Sequence, residues 1–306
     1  MATQTTRPPE TRITAGAVTR KRARKETLIR FFVTANGAVA MIAVALIMLF
    51  LLKDAIPTFR YVSVTEFLLG RNWYPLDEIF GILAIILGSL LVTAVAILIA
   101  LPVSLGCAIY IAEIAPRSVR EILKPTVEIL AGIPSIVIGF IGLVILSPLV
   151  KELFSLDSGL TALTGAITLA FMAMPTIISI SEDAIVAVPS EYRDASLALG
   201  ATHWQTISGA LVPAAKSGIT AAVMLGVGRA IGETMAVMMV TGNALHLPPK
   251  LFDSVRTLTA TIATEMGEAV QGSAHYHALF AMGLVLFAIT FAVNLAADVA
   301  LRRSRR

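Results

Sequence analysis

A single cysteine, Cys107, excludes an internal disulfide and a thiolate metal cluster. Charge is equally scarce. Only 14% of the 306 residues are Asp, Glu, Lys or Arg, where soluble domains carry about 25%, so a water-facing surface cannot be made from this chain. Three motifs are also missing. There is no phosphate-binding Gly-Lys-Ser/Thr loop, no Gly-x-Ser-x-Gly elbow and no His-Glu-x-x-His. The chain is therefore not expected to hydrolyse ATP by itself, and an intramembrane enzyme built on Ser135, Ser179 and His203 is a weak reading. No solenoid or other fixed-period repeat is visible.

Long apolar blocks fill the space instead. The chain is 57% hydrophobic with a mean hydropathy of +0.83. A block of about 18 or more apolar residues reads as a membrane helix. Backbone groups in lipid must be satisfied within the segment, so several such blocks make an all-α bundle. Six spans are expected, at about 31–52, 81–103, 126–149, 159–180, 217–241 and 277–301. The run from Ile79 to Ala112 would be roughly 50 Å long as a helix, too long for one crossing and too short for two. Pro102 and Gly106 are its natural break points, which predicts one crossing and a bent extension over 103–112.

Basic residues set the expected topology. Residues 1–30 form a basic tail (Arg20, Lys21, Arg22, Arg24 and Lys25 among others), and 302–306 a basic end. The apolar blocks are too long for a signal peptide. A basic arm beside a membrane helix is read as a topology signal rather than a nucleic-acid site. With both ends in the cytosol, Arg117, Arg120, Lys124, Arg193 and Lys216 also face inward, as the positive-inside rule requires.

The loop at 189–213 reads as two short helices. Ser190 can cap the first, with Glu191 at its positive end. Gly200 suits the left-handed position after its last turn. Thr202 and Gln205 have capping-box spacing for the second helix, and Pro213 is expected to stop it. Trp204, Ile207 and Leu211 then share one apolar face. By spacing alone, that face suits either a partner's groove or the lipid headgroups.

Asp194-Ala195-Ser196, Gly200 and Ala210-Leu211-Val212-Pro213 resemble the coupling loop of ABC-importer permeases. That pattern is Glu-Ala-Ala, three residues, Gly, nine residues and Ile-x-Leu-Pro. Ala195, Gly200 and Pro213 match in register; Asp194 and Val212 are conservative departures, and Ser196 and Ala210 looser ones. The resemblance covers about 75–301. It implies a type I ABC-importer permease fold with Glu191, Asp194, Ala195, Gly200, Trp204, Ile207 and Pro213 at the contact with an ATPase subunit.

Span five contains Arg229 near its middle and Glu233 four residues later. Each central charge costs about 2.5–3.5 kcal/mol on the insertion scale. On one helix face the two can pair. Such a pair either fixes packing or lines a polar path. Gly226, Gly228 and Gly232 beside it could permit close helix approach or bending. The run from Gly228 to Asn243, with its Met-Ala-Val-Met-Met-Val segment, and the run from Leu130 to Gly142 are similar to signatures of phosphate-specific ABC permeases of the C type.

That resemblance implies import of inorganic phosphate along a path with Arg229, Glu233, Thr234 and Ser135, since guanidinium suits an oxyanion. It implies a second related permease subunit, two cytosolic ATPase subunits carrying ATP and Mg, an external phosphate-binding protein, and a place in a bacterial inner membrane. No metal or cofactor is expected on this subunit. An importer of sulfate, molybdate or phosphonate remains an alternative, as does a secondary transporter or channel. The role of loop 242–276, with His246, His275 and His277, stays open.

Overall fold

The computed structural model describes residues 15–247 and 249–304, which divide into two compact units at Leu51/Leu52. The first unit is most of helix α1 (Ala15–Ala55), apolar all round beyond Ile29 and helical already within the basic tail. Residues 1–14 and 305–306, and with them the expected cytosolic placement of the chain ends, lie outside the described residues.

The second unit begins with a 3-10 turn at Ile56–Arg60 and the short helix α2 (Val64–Leu69). A two-stranded antiparallel ribbon follows, β1 (Trp73–Tyr74) with β2 (Ile79–Phe80), pairing Trp73 with Phe80. Then come α3 (Leu83–Ile109), α4 (Arg117–Ala131), α5 (Ser135–Ile141), α6 (Ser147–Leu153) and α7 (Ala162–Val186). Helices α8 (Ser190–Ala198) and α9 (His203–Thr206) form the loop after α7. Helices α10 (Val212–Gly232), α11 (Met235–Val240), α12 (Leu258–Glu265) and α13 (Ala274–Ser304) complete the chain. Wide π turns at Tyr110–Ile114, Gly142–Leu146 and Ile207–Leu211 extend or join their neighbours.

Among the described residues, six helical stretches are long and apolar enough to cross a membrane: Ile29–Arg60, Leu83–Ile114, Ser135–Leu153, Ala162–Val186, His203–Gly232 and Ala274–Ala296. Helix α7 is the centre of the second unit. Small residues let its neighbours approach: Ala162, Ala166, Ala170 and Ala173 pack with Val92, Ala96 and Ala100 of α3. At one end of the bundle a second core gathers Phe67, Trp73, Phe80 and Ile82 with Leu258, Leu279 and Met282.

Four expectations about the spans are corrected. Span two is not broken at Pro102 or Gly106; the helix runs on to Ile109 and through the π turn to Ile114. A proline inside a span removes one N–H, and neighbouring helices can absorb that loss. Span three does not start at 126. Helix α4 ends at Ala131, and a new helix starts at Ser135 after Pro134, which adopts extended backbone (ψ 136°). Pro134 disfavours helical backbone at Ile133, so Gly132-Ile133-Pro134 divides an amphipathic helix from the crossing.

Pro213 does not stop the helix from α9. The π turn at Ile207–Leu211 carries it directly into α10. There the N–H of Val212 bonds back to Ile207, and the widened turn relieves the clash that Pro213 would otherwise make. Span five, finally, ends at Gly232 instead of running to 241.

Candidate anion path and partner-facing loop

The break after Gly232 reshapes the charged pair. Glu233 has extended backbone (φ −68°, ψ 132°), so it is no longer one helical turn from Arg229 on a common face. The expected ion pair is not formed: among the described residues Arg229 has no carboxylate partner. Its Nη1 donates to Thr176 Oγ1 at 3.1 Å, and its Nη2 to the Ala131 carbonyl at 3.4 Å. A guanidinium has five donors, so the larger part of its capacity is left for an anion.

Glu233 is occupied locally. Its carboxylate accepts from the Ala236 N–H at 3.2 Å, at the start of α11. Its carbonyl accepts from Thr259 Oγ1 at 2.7 Å, and the Thr234 hydroxyl donates to the Gly232 carbonyl at 3.2 Å. Side chains thus satisfy backbone groups freed by the break. Irregular backbone at membrane depth is tolerated where protein surrounds it or where it lines a polar cavity.

Ser135 opens α5 four residues after Ala131. In α5, a Cβ on Gly139 would meet the Ala236 Cα at 2.7 Å, so span three and the broken end of span five are in close contact. Gly226 supports similar packing, because its Cβ would meet Ile177 at 2.5 Å. Gly228 and Gly232 differ from the expectation of close approach: a Cβ on either would meet nothing within 4 Å.

The loop at 189–213 has the expected outline with altered details. The N-cap of α8 is Pro189, with no side-chain cap; Ser190 is the first helical residue. Gly200 has φ +85°, a left-handed conformation that L side chains rarely adopt. Thr202 and Gln205 form the capping box. Trp204 does not share the buried face of Ile207 and Leu211. It is 61% exposed, while those two are buried. Glu191, Asp194, Ala195, Gly200 and Pro213 are exposed, as are Tyr192, Leu197 and Leu199.

Three cations near this loop are held by specific partners. Arg193 of α8 places one nitrogen 2.5 and 2.6 Å from the two oxygens of Glu113, a carboxylate 2% exposed in the π turn that ends span two. Arg120 of α4 donates to the carbonyls of Ile111 and Ala112 in the same turn. Lys124 of α4 reaches Glu182 at 2.6 Å and Asp183 at 2.8 Å near the end of α7. Hydrogen bonds to Asp183 and then Glu182 push the Lys124 ammonium up to about 12. These contacts and Thr176 were missed in the sequence. The available signal was Glu113 at the end of an apolar run and two adjacent carboxylates closing span four, each of which needs a partner when buried.

At the opposite end, Glu265 ties the loops together. It accepts from Trp73 Nε1, Arg256 Nη1 and His275 Nε2, each at 2.9 Å. His277 Nδ1 lies 2.7 Å from the Asp54 carbonyl, and His246 is exposed.

A helical membrane unit with a surface helix before span three, a helix break at the end of span five, and an exposed helix pair between spans four and five, defines a permease of the type I ABC-importer class. Residues 104–306 match the family described as the binding-protein-dependent transport system inner membrane component, and the chain belongs to that family. The probable ABC transporter permease protein YqgH of Bacillus subtilis is 44% identical over 266 residues, covering 86% of each chain. The phosphate transport system permease protein PstC of Mesorhizobium japonicum is 39% identical over 259 residues, covering 78% of each. A PstC of Xylella fastidiosa is 34% identical across 99% of this chain and 98% of its own.

Solved structures agree on the fold. A bacterial alginate ABC transporter chain superposes with a TM-score of 0.64 over 92% of this chain and 96% of its own, at 16% identity. The MetNI methionine ABC transporter gives 0.58 over 72% and 94%, at 18% identity. The chain is thus a multi-pass transport component and not an enzyme.

Proposed function

We propose that this chain is the membrane-spanning subunit of an ATP-driven importer of inorganic phosphate. The observation that carries the reading is Arg229: a guanidinium within a membrane span, held by a hydroxyl and a carbonyl, with no carboxylate to neutralise it among the described residues. A cation left in that condition is matched to a passing oxyanion. Relatives named as phosphate transport permeases support phosphate over sulfate, molybdate or phosphonate.

In this reading Arg229 meets the ion, and Ser135, Thr234 and Glu233 border its path. Residues 189–213 dock on an ATPase subunit through Glu191, Asp194, Ala195, Trp204 and the exposed apolar residues beside them. Gly200 shapes the turn, Ile207 supports it from inside, and Pro213 leads into span five. Two ATPase subunits hold ATP and Mg in the cytosol, a second related permease completes the path, and a phosphate-binding protein delivers from outside. Residues 1–30 and 302–306 lie in the cytosol, flanking a permease domain at 31–301 in a bacterial inner membrane. Closure of the ATPase pair would move the loop and alternate the path between inward- and outward-open states.

The test is uptake of radiolabelled phosphate by vesicles containing the assembled complex, at a clamped membrane potential. ATP-dependent uptake that excess phosphate suppresses, and sulfate, molybdate and phosphonate do not, is the expected result. Uptake indifferent to ATP would favour a secondary transporter and sink the reading. Suppression by another anion instead would reassign the solute.

A further inference from the structure

The Arg193–Glu113 ion pair has a geometry suited to transmitting force. Helix α8 contributes no buried residue to the bundle. Between Tyr192 and the ends of α7 and α10 opens a cavity of about 350 Å³, lined by Ala184, Ala187, Ala214 and Gly218 among others. Helix α8 packs on the π turn Ile207–Leu211 that leads into span five, with Ser196 Oγ 3.0 Å from Thr206 Oγ1, so its tie to span two is a separate contact. Among the described residues, the hydrogen bonds from α8 to span two are those of Arg193 to Glu113, eighty positions earlier. Both carboxylate oxygens are engaged, and Glu113 is almost wholly shielded from water. A charge-assisted contact in such a setting resists stretching.

What Glu113 is attached to matters as much as the pair. It sits in the π turn at Tyr110–Ile114, two of whose carbonyls accept from Arg120 of α4. Helix α4 is tied in turn to α7 through Lys124 and Glu182. One pull on Arg193 thus reaches the ends of spans two and four and the surface helix before span three. A π turn is a strained, wide piece of helix that can tighten or open by one hydrogen-bond step.

We propose that Arg193 and Glu113 are positioning residues that carry the motion of α8 to span two. The inference rests on the importer reading above, in which α8 docks on an ATPase subunit. It adds that span two is driven through a buried ion pair as well as along the polypeptide.

The experiment measures movement without reference to the solute. In a Cys107→Ser background, spin labels are placed at the exposed positions Leu98 on span two and Phe291 on span six. Their separation is read in the full complex before and after trapping the ATPase with ATP and vanadate. The parent complex should show a shift. Arg193→Gln and Glu113→Gln should each lose it, Arg193→Lys should retain most of it, and all three should continue to hydrolyse ATP. Solute moved per ATP should fall about tenfold or more in the two Gln variants.

Glu113→Gln leaves α8 unaltered, so it separates lost transmission from any failure of Arg193→Gln to assemble. A full shift and normal coupling in Glu113→Gln would overturn the proposal. A parent complex that hydrolyses ATP and shifts its spans but moves no phosphate would defeat the phosphate reading and leave this one standing.

Discussion

Two sets of cations in this molecule are treated in opposite ways. Beside the 189–213 loop, Arg193 and Lys124 reach carboxylates. In span five, Arg229 has a hydroxyl and a carbonyl as its partners among the described residues. Pairing a cation with a buried carboxylate locks both in place and removes their attraction for a third charge. Leaving the cation with neutral acceptors fixes its position and preserves that attraction. The first arrangement suits parts that must move together, and the second suits an ion path.

The comparison can be broken by giving Arg229 the partner that Arg193 has. Thr176→Asp puts a carboxylate where the hydroxyl now accepts. Phosphate uptake should fall about a hundredfold, equivalent to roughly 3 kcal/mol of lost anion attraction, while the complex co-purifies normally. Wild-type uptake in that variant would mean that the ion does not meet Arg229.

The converse change removes a cation from the paired set. Lys124→Met strands Glu182, whose side chain is 4% exposed, and should cost about 3 kcal/mol in detergent unfolding. Gly200→Val forces a β-branched residue into positive φ, at about 1–3 kcal/mol of local strain. Its expected signature is lost ATP-coupled uptake with normal membrane insertion, and normal coupling would argue against the loop's assigned role. Asp183→Asn should matter least, below about 1 kcal/mol, because that carboxylate is 64% exposed.

The same comparison has a pH consequence. The Lys124 pKa is raised in the folded chain to about 12, above its ordinary value of 10.5. Its stabilisation is therefore complete below the ordinary value and is lost as pH rises toward about 12. The destabilisation by Lys124→Met should stay constant from about pH 6 to 9 and shrink only above about 10.5. A change between pH 6 and 9 would point to a different titrating partner.

Much of this was readable in the sequence because membrane spans, caps and glycine turns are local signals. The six spans, the left-handed Gly200 and the Thr202–Gln205 box all follow from short windows. The helix breaks were harder. Pro102, Pro134 and Pro213 look alike in sequence, yet only Pro134 accompanies a break, because a π turn accommodates Pro213 and span two continues through Pro102. The Arg229–Glu233 pairing failed because its four-residue spacing presumes an unbroken helix, and Thr259 hydrogen-bonds the backbone where the helix ends. Contacts such as Arg193–Glu113 join residues eighty positions apart, so no local window contains them.

The most direct test of the ion path is ATP-driven phosphate uptake by the reconstituted complex with Arg229 replaced in two ways, at matched ATPase content. Arg229→Gln strands no carboxylate, so the complex should assemble and hydrolyse ATP, with uptake reduced about a hundredfold. Arg229→Lys keeps a charge without the planar fork and should fall between the two. Phosphate uptake near the parent rate in Arg229→Gln would contradict the account.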